Sequence, residues 1–472
     1  MCVLRAQNGK AEEGRPRMEE TKELEVFRSA SVPTAVLKTT VPAMIAMLMV
    51  LVYNLADTFF IGLTRDPYQL AAVSMAMPVF LIFMSVGTVF GIGGTSVISR
   101  ALGEGRLDYA RRVCSFCMWS CVTLGVLLSA LFLLFMEQIM ALMGTSADTY
   151  AYIKSYLTIV SLGGPFVLIA NCYSNVVRAE GQSKKAMMGQ LMGNLLNVVL
   201  DPIMISLFGW GIAGAAVATL IGNVFGACYY ILYFRKEGSI LSIHPRDFSM
   251  GDKICSSVLA IGLPASLSTL MMNLSQIIMN SQMAAFGDMA VAAVGVASKV
   301  AMITGMLCIG FGQGVQPLLG YCIGASLWDR LKSIMRFSLV FAFGLSIIMT
   351  GLCYVFSEPL CRVFVTDRVA LSYAVRFLRI LLTTTALFGA FYVLANALQA
   401  AGAASAALIV NLSRQGFIYI PALFLLKSLL GADGLVWAQP AADLLSLLIV
   451  VILYLRTFRS LTARADEEGI CP

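Results

Sequence analysis

Two carboxylic acids lie inside long apolar segments of this chain, where a lipid environment should exclude them. Asp57 lies in the segment that begins near residue 39, and Asp201 lies in another that begins near residue 184. An ionised side chain at the bilayer centre costs at least about 2.5–3.5 kcal/mol, so acids retained there are candidates for function. Asn194 and Asn197 precede Asp201 at helical spacing, which places all three on one face of a helix.

Helix geometry predicts that the two acids share a depth. Asp57 comes about 18 residues into its segment and Asp201 about 17 residues into its own, or ~26 Å along a helix that rises about 1.5 Å per residue. Thr219 comes about seven residues into the next segment, which runs in the opposite direction, and it therefore reaches the same layer. Tyr53 precedes Asp57 by one helical turn on the same face.

This convergence of oxygen groups suits two cations. A protonated carboxyl group can be satisfied by amide and hydroxyl neighbours, and burial away from water favours the neutral form of a carboxyl group in general. Oxygen ligands from Asp57, Asn197, Asp201 and Thr219 also suit Na⁺, a hard cation. The residue types leave H⁺ and Na⁺ both open. The structural alternative is that the acids only bond neighbouring helices.

The elements that carry these residues are predicted to be membrane-spanning helices. Hydrophobic residues make up 59% of the 472 residues and charged residues 12%, with a mean hydropathy of +0.83. Apolar runs of roughly 20–28 residues are long enough to cross a ~30 Å hydrocarbon core. About twelve such runs predict an all-α integral membrane protein and exclude a β-barrel, which would show shorter alternating segments. They begin near residues 39, 70, 112, 152, 184, 212, 257, 289, 334, 370, 404 and 433.

Basic residues predict the orientation, because Lys and Arg are retained on the cytoplasmic side. They cluster in the N-terminal tail and after every second segment, at 100–112, 178–185, 235–253, 330–336 and 456–464. Both termini are therefore expected in the cytoplasm. This topology explains the net charge of +7 and gives no support to nucleic-acid binding. The predicted organisation is an N-terminal tail at 1–38, an N-lobe at 39–235, a linker at 236–256, a C-lobe at 257–458 and a C-terminal tail at 459–472.

The chain contains an internal repeat. Gly93 and Gly103 recur as Gly314 and Gly324, displaced by 221 positions, and "RAEGQ" at 178–182 recurs as "QAAGA" at 399–403. Six helices per copy make the two copies parallel in the membrane, as in transporters built from two rocking bundles. No GxxxxGK[ST] loop is present, so ATP is not the expected energy source.

An enzyme is not expected. The sole histidine, His244, falls in the predicted linker and no HExxH motif is present. The spacing of Cys114 and Cys117 is better explained by small buried side chains than by metal binding. No cofactor is predicted.

The second copy does not repeat the acids. At the repeat offset the two acids correspond to Met279 and Ala422, which predicts an asymmetric site with cation coupling in the N-lobe. The clearest acid of the C-lobe is Asp443. Arg414, its deepest basic residue, is expected either to pair with a carbonyl or carboxyl group or to line a cavity.

Four stretches resemble the multidrug and toxic compound extrusion (MATE) transporters: "NLADTFFIG", "RAEGQSKKAM", "NLLNVVLDPIMI" and "GWGIAGAAVATLIG". The likeness covers about 41–459. It implies two six-helix bundles in a V-shaped arrangement and export of organic cations in exchange for H⁺ or Na⁺. It also implies an N-lobe cation site at Asp57, Asn197, Asp201 and Thr219, aromatic positions at Tyr53 and Tyr156, and a cavity amide at Asn175.

Some members of that family use an acid in the seventh helix, but here Asn273, Gln276 and Asn280 precede the first acid, Asp288. A second cation site of that kind is therefore not expected, and Asn273, Gln276, Asn194 and Arg414 are taken as candidate cavity residues.

The sequence thus predicts a monomeric multidrug antiporter of a bacterial inner membrane. Its expected partners are small organic cations or drugs, H⁺ or Na⁺, and the lipid bilayer. The alternative is a lipid-linked oligosaccharide flippase of the same superfamily, which would need a cavity rich in Arg and Lys.

Overall fold

The computed structural model describes residues 19–62, 64, 66–236, 239–365 and 367–467. Within these ranges the chain is helical and contains no β-strand, which confirms the predicted fold class. The first 18 residues of the predicted N-terminal tail and the last five of the C-terminal tail lie outside the described residues.

The first repeat is preceded by a short helix, α1 (Glu19–Arg28), and contains seven α-helices and one π-helical turn among the described residues. In chain order they are α2 (Val32–Gly62), α3 (Pro67–Gly103), α4 (Leu107–Leu134), α5 (Met136–Leu142), α6 (Ala147–Ala179), α7 (Ser183–Pro202), the π-turn Ile203–Leu207, and α8 (Gly211–Arg235).

The second repeat follows a linker that contains a single 3₁₀ turn, Pro245–Asp247. Its elements are α9 (Ile254–Ala284), α10 (Asp288–Gly324), α11 (Trp328–Val355), α12 (Ser357–Arg362), α13 (Arg368–Thr385), α14 (Phe388–Ala400), α15 (Ala404–Leu412), the π-turn Ser413–Phe417, α16 (Tyr419–Leu430) and α17 (Ala432–Glu467).

The prediction of about twelve spans is confirmed. In the described part of the chain eleven helices are long and apolar enough to cross a membrane, and α13 with α14 forms a twelfth that bends by 49°. The helices begin up to seven residues before the predicted starts, because their first turns are more polar than the lipid-spanning part. The first span begins at Val32 rather than near residue 39, and Pro33 in its first turn is compatible with a helix start.

A matching pair of hydrogen bonds shows the repeat in three dimensions. Asn175 Nδ2 donates to the carbonyl oxygen of Asn171 at 3.0 Å, and Asn396 Nδ2 donates to that of Tyr392 at 2.8 Å. Both residues of the second pair follow their counterparts by 221 positions. The two lobes therefore use the same local geometry in their fourth membrane spans, at Asn175 on α6 and Asn396 on α14.

Glycines let the two lobes approach closely through α2 and α10. A Cβ atom on Gly314 would lie 2.6 Å from the Cα of Thr40, and one on Gly310 would lie 2.7 Å from the Cα of Met44. The absence of side chains at such points allows helix backbones to pack together, as is common in membrane proteins. Thr40 and Asp57 are 17 residues apart on α2, so the acid lies ~26 Å from this part of the lobe interface.

Two segments cross from one lobe to the other. Although α1 precedes the N-lobe, Arg330 of α11 donates to the carbonyl oxygens of Phe27 at 2.8 Å and Ala30 at 2.6 Å. The linker before α9 is held against α4 of the N-lobe, where Arg111 Nε donates to the carbonyl oxygen of Ile240 at 2.9 Å. Each repeat is thus preceded by a segment that packs on the opposite lobe.

Candidate functional site

The site is built where α2 and α7 pack together. The helix α2 carries Tyr53 and Asp57, and α7 carries Asn197 and Asp201. Pro202 ends α7 and has no N–H group to continue the regular hydrogen-bond ladder, and the chain passes directly into a π-helical turn. Such turns are frequent at functional sites in proteins. Asp201 is therefore the next-to-last residue before a change in helix geometry.

A hydrogen bond and two glycines connect α7 to α8. Asn197 Nδ2 donates to Thr219 Oγ1 at 3.1 Å. One turn earlier on α7, a Cβ atom on Gly193 would lie 2.8 Å from the carbonyl oxygen of Gly222, and one on Gly222 would lie 2.6 Å from that of Gly193. The close approach brings the amide of Asn197 within reach of the threonine.

Both acids have carboxylate oxygens that are buried without hydrogen-bond donors. Asp201 has no exposed surface, and neither of its carboxylate oxygens has a partner among the described residues. The same holds for Oδ1 of Asp57, Oδ1 of Asn197 and Nδ2 of Asn194. A buried polar group without a partner is destabilising, and the effect is larger for a charged group. Four buried acceptor oxygens on α2 and α7 thus have no hydrogen-bond donor among the described residues.

Electrostatic interactions link this cluster to two tyrosines. The charge of Asp201 interacts with that of Asp57, and both acids interact with Tyr53 and Tyr156. Tyr156 is 5% exposed and comes from α6, so four helices of the N-lobe contribute to the site. Two like charges in an apolar setting repel each other strongly, and bound H⁺ or Na⁺ would remove that repulsion. The arrangement fits the oxygen-rich cation site that the residue types suggest.

A small cavity of about 80 Å³ lies beside the cluster inside the N-lobe. Its lining combines the predicted residues Tyr53, Asn194, Asn197 and Thr219 with polar side chains that were not among the predicted site residues. Those are Asn171, Ser174, Gln190 and Asn223. Their signal in the sequence was available, since each is a polar residue within an apolar helix. None of the residues that line the cavity is Arg or Lys.

Asn175, the expected cavity amide, is not among the lining residues. Its Oδ1 accepts a hydrogen bond from Nη1 of Arg178 at 3.2 Å, and the same guanidinium nitrogen donates to Gln313 Oε1 at 2.9 Å. Because Gln313 belongs to α10, Asn175 lies near the interface between the lobes. Its neighbours Asn171 and Ser174 face the cavity instead.

The C-lobe candidates lie apart from this cluster. On α9, Asn273 donates to the carbonyl oxygen of Thr269 at 2.8 Å, and Gln276 donates to Asn280 Oδ1 at 3.3 Å. These bonds stay within one helix. Met279, the counterpart of Asp57, is buried as an apolar core residue.

Arg414 lies in the π-turn Ser413–Phe417 and pairs with a carboxyl group, one of the two expected arrangements. Its Nε donates to Asp443 Oδ1 at 2.8 Å, and its Nη1 donates to the hydroxyl of Tyr392 at 2.7 Å. Within the described residues no cluster of three or more His, Cys, Asp or Glu side chains could hold a metal ion.

The sequence model of the MatE family matches this chain twice, at residues 42–203 and 264–425. The two matches coincide with the two repeats. The chain is 29% identical over 435 residues to the multidrug export protein MepA of Staphylococcus aureus (strain NCTC 8325 / PS 47), covering 92% of this chain and 96% of the relative. It is 28% identical over 446 residues to MepA of Staphylococcus saprophyticus subsp. saprophyticus, covering 94% and 98%.

Solved structures of MATE proteins have the same fold. A crystal structure of MATE in complex with MaL6 superimposes with a TM-score of 0.88 at 24% identity, covering 94% of this chain and 99% of that one. An outward-facing multidrug resistance MATE transporter of the MOP superfamily gives a TM-score of 0.87 at 24% identity, covering 94% and 98%. At such identities the likeness establishes the shared architecture.

Proposed function

This chain belongs to the MatE family of transporters, and we propose that it exports cationic or lipophilic compounds in exchange for H⁺ or Na⁺. The observation that carries the proposal is the set of buried acceptor oxygens on Asp57, Asn197 and Asp201 that have no donor among the described residues. A membrane protein that retains two acids in this state needs an exchangeable cation to satisfy them.

Cation binding would change the packing of the N-lobe. With no cation bound, Asp57 and Asp201 repel each other across the contact between α2 and α7. A proton or Na⁺ shared by their oxygens removes the repulsion and draws the two helices together. Tyr53 lies one helical turn from Asp57, and Asn197 lies one turn from Asp201; both also line the cavity. A movement of α2 and α7 therefore alters the cavity walls. Substrate affinity then differs between the loaded and unloaded states, which is the condition for one ligand to drive the other.

The residues that line the N-lobe cavity also suit a lipophilic cation as the exported substrate. The cavity walls include the aromatic rings of Tyr53, Phe80 and Tyr230 and the flexible thioether of Met84. Aromatic faces attract organic cations, and methionine adapts to ligands of different shape. A volume of about 80 Å³ is smaller than the ~300–1,000 Å³ typical of ligand pockets, so export requires a more open state of the N-lobe.

The proposed setting is the inner membrane of a bacterium, with both termini in the cytoplasm and the protein acting as a monomer among lipids. Basic residues support this orientation, since Arg100 and Arg106 lie at the end of α3 that contacts the C-lobe. In that orientation the lobes are packed together on the cytoplasmic side, and the acids lie toward the outside. The flippase alternative gains no support, because Arg414 is already paired with Asp443.

Ethidium efflux from proteoliposomes, with a proton gradient and a sodium gradient imposed separately, tests the proposal. One of the two gradients should drive efflux, and at the cation concentration that half-saturates the wild type Asp57→Asn or Asp201→Asn should lose most of the driven part. Asp148→Asn is the matched control, because this exposed acid lies in the first turn of α6 away from the site. Gradient-driven efflux at the wild-type rate in either site variant would refute the assignment.

A further inference from the structure

The C-lobe contains a counterpart of the N-lobe cavity. The register of the repeat is fixed by glycines with left-handed backbones: Gly181 (φ +87°) matches Gly402 (φ +73°), and Gly211 (φ +53°) matches Gly431 (φ +63°). The offset is therefore 221 through the fourth and fifth spans of each repeat and 220 in the sixth. These offsets identify which C-lobe residue occupies the position of each residue around the N-lobe cavity.

At five of these positions the C-lobe carries larger or charged side chains. Arg414 occupies the position of Gly193, and Asp443 occupies that of Asn223. All the N-lobe members of the set line the cavity. The five correspondences are Gly193 with Arg414, Asn223 with Asp443, Thr219 with Gln439, Ala170 with Phe391, and Asn171 with Tyr392. At the positions of Gly193 and Ala170, the space that the N-lobe leaves open is thus occupied in the C-lobe by Arg414 and Phe391.

The guanidinium group of Arg414 is surrounded by aromatic rings and hydrogen-bond acceptors, the groups that bind organic cations in proteins. The guanidinium carbon of Arg414 lies 4.4 Å from the ring centroid of Phe388, 5.0 Å from that of Phe391 and 5.3 Å from that of Tyr392. Aromatic cages of this kind recognise organic cations in many proteins. The carboxylate of Asp443 and the hydroxyl of Tyr392 accept hydrogen bonds from two of its nitrogens.

Asp443 also differs from the acids of the N-lobe in being fully bonded. Besides Arg414, Gln439 Nε2 donates to its Oδ1 at 2.9 Å and Thr384 Oγ1 donates to its Oδ2 at 3.0 Å. Asp201 has no such partner among the described residues. The N-lobe therefore holds acids without a bonding partner among the described residues. The acid of the C-lobe is paired with a cationic side chain of the same protein, Arg414.

We propose that Arg414 is a tethered ligand of a second cation-binding pocket, formed by Asp443, Gln439, Phe388, Phe391 and Tyr392. The pocket accepts planar guanidinium-type cations, and the chain's own guanidinium keeps it permanently occupied. Exchange of cations is thereby confined to the N-lobe, and the C-lobe stays charge-balanced throughout the cycle.

The test is to empty the pocket and refill it. Methylguanidinium chloride at about 20 mM, far below the molar range in which guanidinium denatures proteins, is added to purified Arg414→Ala, to wild type and to Arg414→Ala/Asp443→Asn. Binding should raise the thermal unfolding midpoint of Arg414→Ala by about 2–4 °C. The other two proteins should not respond, since one pocket is filled and the other lacks its carboxylate. Sodium chloride at equal concentration controls for ionic strength.

An equal response of all three proteins, or none, would overturn the proposal. If Arg414→Ala cannot be purified, the measurement becomes its recovery as a monodisperse peak after extraction with and without methylguanidinium. Recovery that depends on the cation supports the tethered ligand, and recovery that does not depend on it overturns the idea. Because neither readout involves transport, failure here leaves the proposed antiport untouched, and failure of antiport leaves this pocket untouched.

Discussion

Replacing Asp201 by asparagine should weaken activation of transport by the coupling cation while leaving the fold intact. Asp201 is fully buried and both of its oxygens lack hydrogen-bond donors, so they are available to a cation. A hydrogen bond or contact to a charged group contributes about 1.5–3 kcal/mol. Since about 1.4 kcal/mol corresponds to a tenfold change in binding, the variant should need ~10–150 times more cation for the same occupancy.

The assay is the initial rate of ethidium efflux from proteoliposomes as a function of the concentration of the cation that drives it. The concentration for half-maximal efflux should rise by that factor in Asp201→Asn and stay unchanged in Asp148→Asn. A half-maximal concentration within twofold of wild type would refute the reasoning, because it would mean that the carboxylate of Asp201 does not bind the cation.

The same substitution should not destabilise the protein. An asparagine has the size of the aspartate but no charge, so the repulsion from Asp57 disappears and no ion pair is broken. In sodium-free alkaline buffer, where neither cation is available, the unfolding midpoint of the variant should equal or exceed that of wild type. A lower midpoint by more than about 4 °C, equivalent to ~4 kcal/mol for a chain of this length, would show that the carboxylate has a bonding role in the fold.

Three further substitutions test helix packing in the N-lobe, the ion pair of the C-lobe and the attachment of α1. Gly222→Ala places a Cβ atom 2.6 Å from the carbonyl oxygen of the facing glycine on α7, and it should cost about 1–3 kcal/mol in a thermal melt, whereas Gly226→Ala, with 3.7 Å of clearance, should be tolerated. Asp443→Asn leaves Arg414 buried without its counter-ion and should lower the free energy of unfolding by about 3–5 kcal/mol, an effect that a midpoint unchanged from wild type would contradict. Arg330→Ala removes the hydrogen bonds that hold α1 on α11, so limited proteolysis should cut near residue 28 faster than in wild type, and equal rates would argue against this attachment.

The asymmetry of the two lobes follows from a few substitutions within a common frame. The fourth spans, α6 and α14, keep an asparagine at the same position of the repeat, Asn175 and Asn396, and each bonds the carbonyl oxygen four residues earlier. At the pocket itself, glycine is replaced by Arg414 and an amide by Asp443. On the two proposals made above, the duplicated fold assigns exchangeable cations to one copy and a fixed cation to the other without a change of topology.

The local features of this protein could be predicted from its sequence because they depend on residues that are close along the chain. The number of spans follows from the length of apolar runs, and the repeat follows from glycines at a constant offset. The shared helix face of Asn194, Asn197 and Asp201 follows from their spacing. The family followed from motifs read in order, and the family model and relatives confirm it.

Only the tertiary structure determined which side chains meet across helices. In a membrane span both the lipid-facing and the buried face are apolar, so the pattern of residues does not reveal how each helix is rotated. For that reason the sequence left open whether Arg414 pairs with a carboxyl group, and it did not indicate that Asn171, Gln190 and Asn223 line the N-lobe cavity. The bend between α13 and α14 and the attachment of α1 to the opposite lobe also depend on contacts between residues far apart in the chain. The rotation of each helix and the distance to its neighbours decide those contacts, and both are set by packing of the whole molecule.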